Sequence, residues 1–168
     1  TNSGTVLTSG QSDPAGGTSA YLINDDSAVA AEFVSITPTF TTDAVSKAIS
    51  LFVKFSTATT TVVQVQDTTA VADRLLVSIA WSNGVPTPTA STGTVIGTTR
   101  HRDGYYRILC RTTAVTVANT NTVFLYPAGT TVANVGTCNF FGVQAENALN
   151  PTSYIPTVAS TVTRAADD

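Results

Sequence analysis

Four aromatic side chains in this sequence have the chemistry to stack on a flat, hydroxylated ligand: Trp81, Tyr105, Tyr106 and Tyr126. A pyranose ring packs its apolar face on such a side chain, and amide groups then fix its hydroxyls. Gln64, Gln66, Asn83 and Gln144 are the candidate amide partners. Trp81 is the only tryptophan and directly precedes the turn-forming Ser82-Asn83-Gly84. Aromatic residues also dominate cores and interfaces, so each of the four has an equally physical structural role.

Other chemistries have thinner support. Asn24-Asp25-Asp26-Ser27 brings hard oxygens together, and Asp25 and Asp26 are the candidate ligands for a structural calcium ion. One such loop supplies fewer oxygens than calcium needs. His101 is the only histidine and lies between Arg100 and Arg102 in a polar segment. No Gly-x-Ser-x-Gly elbow is present. The eleven carboxylates single out no facing pair for glycoside hydrolysis. The chain therefore reads as a non-enzyme. Cys110 and Cys138 sit in apolar, strand-like runs and read as two buried thiols or as one disulfide. Two cysteines and one histidine, so far apart, make no zinc site.

Composition narrows the classes further. The chain has 168 residues, enough for one domain with a sizeable core. Charged residues are only 11%, and threonine is about a fifth of the chain. β-branched residues favour pleated surfaces, and threonine lets a strand face water without charge. The net charge of -3 and the dispersed basic residues argue against a nucleic-acid partner. No apolar run approaches the length of a membrane span, and no segment has the form of a signal peptide.

The elements that must position these residues are short strands separated by turn signals. The clearest are Ala48–Phe55, Val62–Gln66, Arg74–Trp81, Thr94–Thr99, Tyr105–Arg111, Thr122–Tyr126 and Cys138–Ala145. Tyr21–Ile23 and Glu32–Thr37 are shorter runs, and residues 1–20 show turn residues with little periodicity. Pro86 and Pro88 rule out a central strand after Asn83-Gly84. Strands at this spacing predict a β-sandwich. Asp103-Gly104 supplies a tight turn, after which Tyr105 and Tyr106 point to opposite faces, one into the core and one free. Arg107 shares the face of Tyr105. Gln144 and Glu146 share one face of the last strand, with Ala145 on the other.

Several segments together resemble a known family. They are Asp13–Leu22, Ser50–Lys54, Asp103–Arg107, Phe124–Gly129 and Gly142–Glu146, followed by Thr152–Thr157 and Val162–Asp167. In this order they resemble the jelly-roll, carbohydrate-binding-module-like domain of tailed-phage tail fibres, appendages and capsid accessory proteins. The resemblance implies an all-β jelly-roll β-sandwich of two antiparallel sheets, with residues 1–168 as one domain and 147–168 as a closing segment. Gly104, Arg107, Glu146, Tyr154 and Pro156 are the structural motif positions it marks. It further implies a virion structural or accessory protein, made in the host cytoplasm and displayed on the virion surface. The implied partners are other virion proteins, further copies of the chain (a trimer is one arrangement) and host-surface polysaccharide. A dedicated lectin-like module of a larger protein is the alternative, and a glycan-active enzyme the distant one. Two departures stand out. An opening strand usual in the family is lacking, and Tyr105 occupies a position that often holds tryptophan.

Overall fold

A computed structural model describes residues 2–40, 44–116 and 118–156. The exit motif Val162–Asp167 lies outside them. Among the described residues there are twelve strands: β1 (Asn2–Ser3), β2 (Val6–Gln11), β3 (Ala20–Asp25), β4 (Phe33–Ile36), β5 (Ala48–Phe55), β6 (Thr60–Asp67), β7 (Ala72–Ser82), β8 (Val85–Thr92), β9 (Thr94–Arg100), β10 (Tyr105–Arg111), β11 (Asn121–Tyr126) and β12 (Gly136–Glu146). They form two antiparallel sheets. Sheet A runs β1-β4-β11-β6-β7-β8, and sheet B runs β2-β3-β12-β5-β10-β9. From the chain ends inward, β3 pairs with β12, β4 with β11 and β5 with β10, alternating between the sheets. That nesting is the winding of a jelly roll.

Alternation along the strands builds the core. Val63 and Val65 of β6, Leu75, Val77 and Ile79 of β7, and Val123 and Leu125 of β11 point inward from sheet A. Ile49, Leu51 and Val53 of β5, Ile108 and Cys110 of β10, and Cys138 and Phe140 of β12 meet them from sheet B. The turn Asn83-Gly84 joins β7 to β8 with both residues at positive φ, 51° and 75°, the geometry that suits a two-residue hairpin loop. Pro86 and Pro88 lie in β8, the outermost strand of sheet A, where a missing N–H does not break a ladder.

Two elements depart from the alternation pattern. The segment before Asp13 forms β2, although its side chains are almost all exposed. An edge strand of this kind is held by backbone pairing with β3, so it leaves no hydrophobic period in the sequence. In β12, Phe141 pairs with Phe52 but the next paired residue is Gln144, opposite Ser50. This bulge sits at Gly142, whose φ of 58° is cheap only for glycine. A Cβ there would stand 2.6 Å from the Tyr154 ring.

One end of the sandwich is tied by a polar clamp. The carboxylate of Asp67, at the end of β6, is fully buried. It accepts hydrogen bonds from Arg74 (2.8 Å), from Asn119 Nδ2 (2.8 Å) and from the backbone N–H of Ala70 (2.9 Å). The Arg74 guanidinium, more than the other donors, holds the Asp67 carboxyl down at about 2.

Two outcomes test this core. Leu51→Ala empties a site sealed by both sheets and should destabilise by ~2–5 kcal/mol, read as a lower urea midpoint with an unchanged slope. The ordinary carboxyl value for Asp67 is 3.8. Its contribution is therefore complete above that pH and disappears as pH falls through about 2. Asp67→Asn should lower the melting temperature at neutral pH and flatten the loss of stability across that acid window in thermal melts.

Candidate functional site

The two sheets treat their outer faces differently. The centre of the outer face of sheet B, over β5, β10 and β12, is covered by the chain itself. Ala20, Phe52 and Tyr105 form a buried cluster there, with Phe141 and Tyr154 packed against it. Tyr154 meets the Phe52 ring edge-on at 5.4 Å and the Phe141 ring at 5.2 Å. The segment leading to Tyr154 is strapped down by polar contacts. Arg107 donates to the Thr152 carbonyl and to Ser50 Oγ. Glu146 accepts from the N–H and hydroxyl of Thr152. Gln144 Oε1 accepts the N–H of Ile155, and Arg111 donates to the Leu149 carbonyl.

A loop from the other end of the chain completes the cover. Asp13 is buried and accepts backbone N–H groups from Ala15, Gly17 and Ser19. These donors, Ser19 first, outweigh burial and lower its carboxyl pKa. The Tyr105 hydroxyl donates to the Ser12 carbonyl at 2.7 Å. Burial pushes that phenol up to about 12.

The outer face of sheet A carries no such strap among the described residues. Phe124 and Tyr126 of β11 point outward, alternating with the inward Val123 and Leu125. Phe33 of β4 joins them, its ring centre 5.0 Å from that of Phe124 and 5.2 Å from that of Tyr126. All three are half-buried. Beside them runs a polar relay. The Tyr126 hydroxyl donates to Gln64 Oε1 (3.3 Å), and Gln64 Nε2 donates to Asp73 Oδ1 (2.7 Å). Gln66 Nε2 reaches the same oxygen at 3.5 Å. Burial first, then the negative charge of Asp73, raises the Tyr126 phenol pKa.

Further along the same face, β6, β7 and β8 and the segment from Gly129 to Asn134 enclose a groove of about 330 Å³. Thr60, Ser78, Thr89, Ser91 and Asn134 supply its polar lining, and Val62 and Leu76 its floor. A ring-stacking strip continuous with a hydroxyl-rich groove can hold a polyhydroxylated ligand by stacking and neutral hydrogen bonds.

The candidate residues divide accordingly. Tyr126 and Gln64 are brought together, with Gln66 beside them. Tyr105 and Tyr106 do point to opposite faces, but neither is free. Tyr106 packs toward the inter-sheet core, and Tyr105 is fully buried beneath the Ser12–Ser19 loop, with no ring face left for stacking. Trp81 is half-buried at the end of β7. It leans on Phe55 at 5.8 Å, and its indole N–H is taken by Thr61 Oγ1. Gln144 is occupied in fastening the strap.

The acidic turn does not gather metal ligands. Asp25 is buried, and its oxygens accept the N–H groups of Ser27 and Glu32, which shapes the turn. Asp26 is exposed. Among the described residues no three His, Cys, Asp or Glu side chains come together as a metal site. His101 stands edge-on to Phe52 at 5.0 Å, and burial, with a smaller effect from Arg107, lowers its pKa.

Phe33, Phe124 and Asp73 belong to the strip although they were not singled out. The period of two along β11 puts Phe124 on the face of Tyr126. Phe33 and Asp73 reach the strip through strand pairing across the sheet. No protein-family model and no curated protein matches the chain.

A second concavity, of about 590 Å³, opens between the sheets on the β2–β4 side. Ile23, Val34, Leu125 and Phe140 line it, and Val6, Leu7, Tyr21 and Ile36 are large apolar residues left exposed along that edge of the fold. Asp13, the one carboxylate among its described lining residues, is already committed to its own loop.

Cys110 and Cys138 are free and buried, and burial pushes both thiols up to about 12. A protonated, enclosed thiol is a poor nucleophile. Both should stay unmodified by a disulfide reagent at mildly alkaline pH and react together only once denaturant unfolds the chain. Rapid native labelling of either would contradict this placement.

Proposed function

We propose that the chain is a surface-displayed jelly-roll module of a tailed-phage virion, a structural or accessory protein that also attaches to host-associated glycans. The observation that carries the glycan half is the contrast between the outer faces: the centre of sheet B is covered by its own chain, whereas sheet A leaves Phe33, Phe124, Tyr126 and the Gln64–Asp73 relay without such a cover among the described residues. The virion half draws on the resemblance of the motifs from Asp13 to Asp167. It is further supported by the apolar edge around Leu7, Tyr21 and Ile36, a kind of surface that suits contact with neighbouring virion proteins or further copies of the chain.

The same strip favours the second reading, a dedicated carbohydrate-binding module of a larger protein. The two readings differ in where the chain is found, not in what the face would do.

Both halves can be measured. Antibodies raised against the sandwich should label the outside of intact particles, and failure to find the chain in purified virions sinks the virion reading. On a glycan array the wild-type chain should retain one group of saccharides, and Phe124→Ala or Tyr126→Ala should weaken retention by roughly 10-fold, the worth of one stacked ring. Retention unchanged in both variants moves the site off this face.

A further inference from the structure

Among the described residues the outer face of sheet A is nearly free of charge, and the exception points to a selectivity. The strands of sheet A contain one basic residue among their described positions, Arg74, and it turns to the buried Asp67 and to Thr116. The segment from Pro127 to Val135 beside the groove has no charged residue. Lys54, Arg100, Arg107 and Arg111 all lie on strands of sheet B, and Arg102 on the turn between two of them. Asp67 is buried, so Asp73 is the one charged side chain that the strands of sheet A put on the open face among the described residues.

Asp73 is also oriented. Gln64 and Gln66 both direct their amide N–H groups at its Oδ1. An oriented carboxylate beside aromatic rings accepts hydroxyl or ammonium donors. A polymer bearing carboxylate or sulfate groups would meet the same charge without a cation to offset it.

We infer that this face selects its saccharide by charge: it takes neutral or amino-bearing glycans through Asp73 and rejects acidic ones. The inference rests on the glycan reading of sheet A and names the ligand class for that site.

A glycan array grouped into neutral, amino-bearing and acidic members tests it, with wild type and Asp73→Asn compared and Kd values then measured by titration for the retained saccharides. Wild type should retain neutral and amino-bearing members and bind acidic counterparts at least ~10-fold more weakly. Asp73→Asn keeps the shape, should weaken the retained group by roughly 10-fold through loss of a charge-assisted hydrogen bond, and should narrow the gap to acidic members. Should that variant not fold, the wild-type ranking alone decides. Acidic members bound as tightly as neutral ones, or a folded Asp73→Asn with an unchanged ranking, overturns charge selection while leaving glycan attachment in place. A blank array with wild type overturns both.

Discussion

Two-sided burial of β5 is the constraint on which the rest of the structure depends. Every residue from Ala48 to Val53 is buried. Ile49, Leu51 and Val53 find partners in the opposing sheet, but Phe52 points the other way, onto the outer face of sheet B. A phenyl ring on an outer face must be covered or left in water, at a cost of the order of 2 kcal/mol. The chain covers it from both ends of the sequence. Tyr154 arrives from the C-terminal side and the Asp13 loop from the N-terminal side, with Tyr105 locked between them by its bond to Ser12.

That cover explains the polar residues around it. Arg107 and Glu146 are not a loose surface pair. Each holds the backbone or hydroxyl of Thr152, and Gln144 holds Ile155. The strap is therefore fastened by side chains from β10 and β12 while its aromatic anchor fills the apolar hollow. Gly142 belongs to the same device, since only a residue without a side chain leaves room for the Tyr154 ring. With the centre of sheet B covered in this way, sheet A offers an external partner rings, amides and hydroxyls.

Much of the fold is legible in the sequence. The eight-residue run Ala48–Phe55 and the alternations in β6, β7 and β11 mark inward and outward positions because the pleat has a period of two. Turn residues such as Asn83-Gly84 and Asp103-Gly104 fixed where strands end. β2 was not legible, because an exposed edge strand buries no side chains. That Tyr105 and Tyr106 take opposite faces was legible too, but not which of them turns to the core nor that Tyr105 is buried, because its burial depends on a loop more than 80 residues away in sequence. The site was half legible: Tyr126, Gln64 and Gln66 were named, whereas Asp73 joins them through a hairpin whose register shifts beside Gln66.

By itself the sequence determined an all-β sandwich and where its main strands lie along the chain, since composition and alternation are local properties of a pleated chain. It also contained the Thr152–Pro156 closure as a pattern. Only the tertiary structure decided which outer face is sealed and which is open. That choice depends on contacts between segments distant in sequence, Ser12 with Tyr105, Thr152 with Arg107 and Phe33 with Tyr126, which no local pattern encodes.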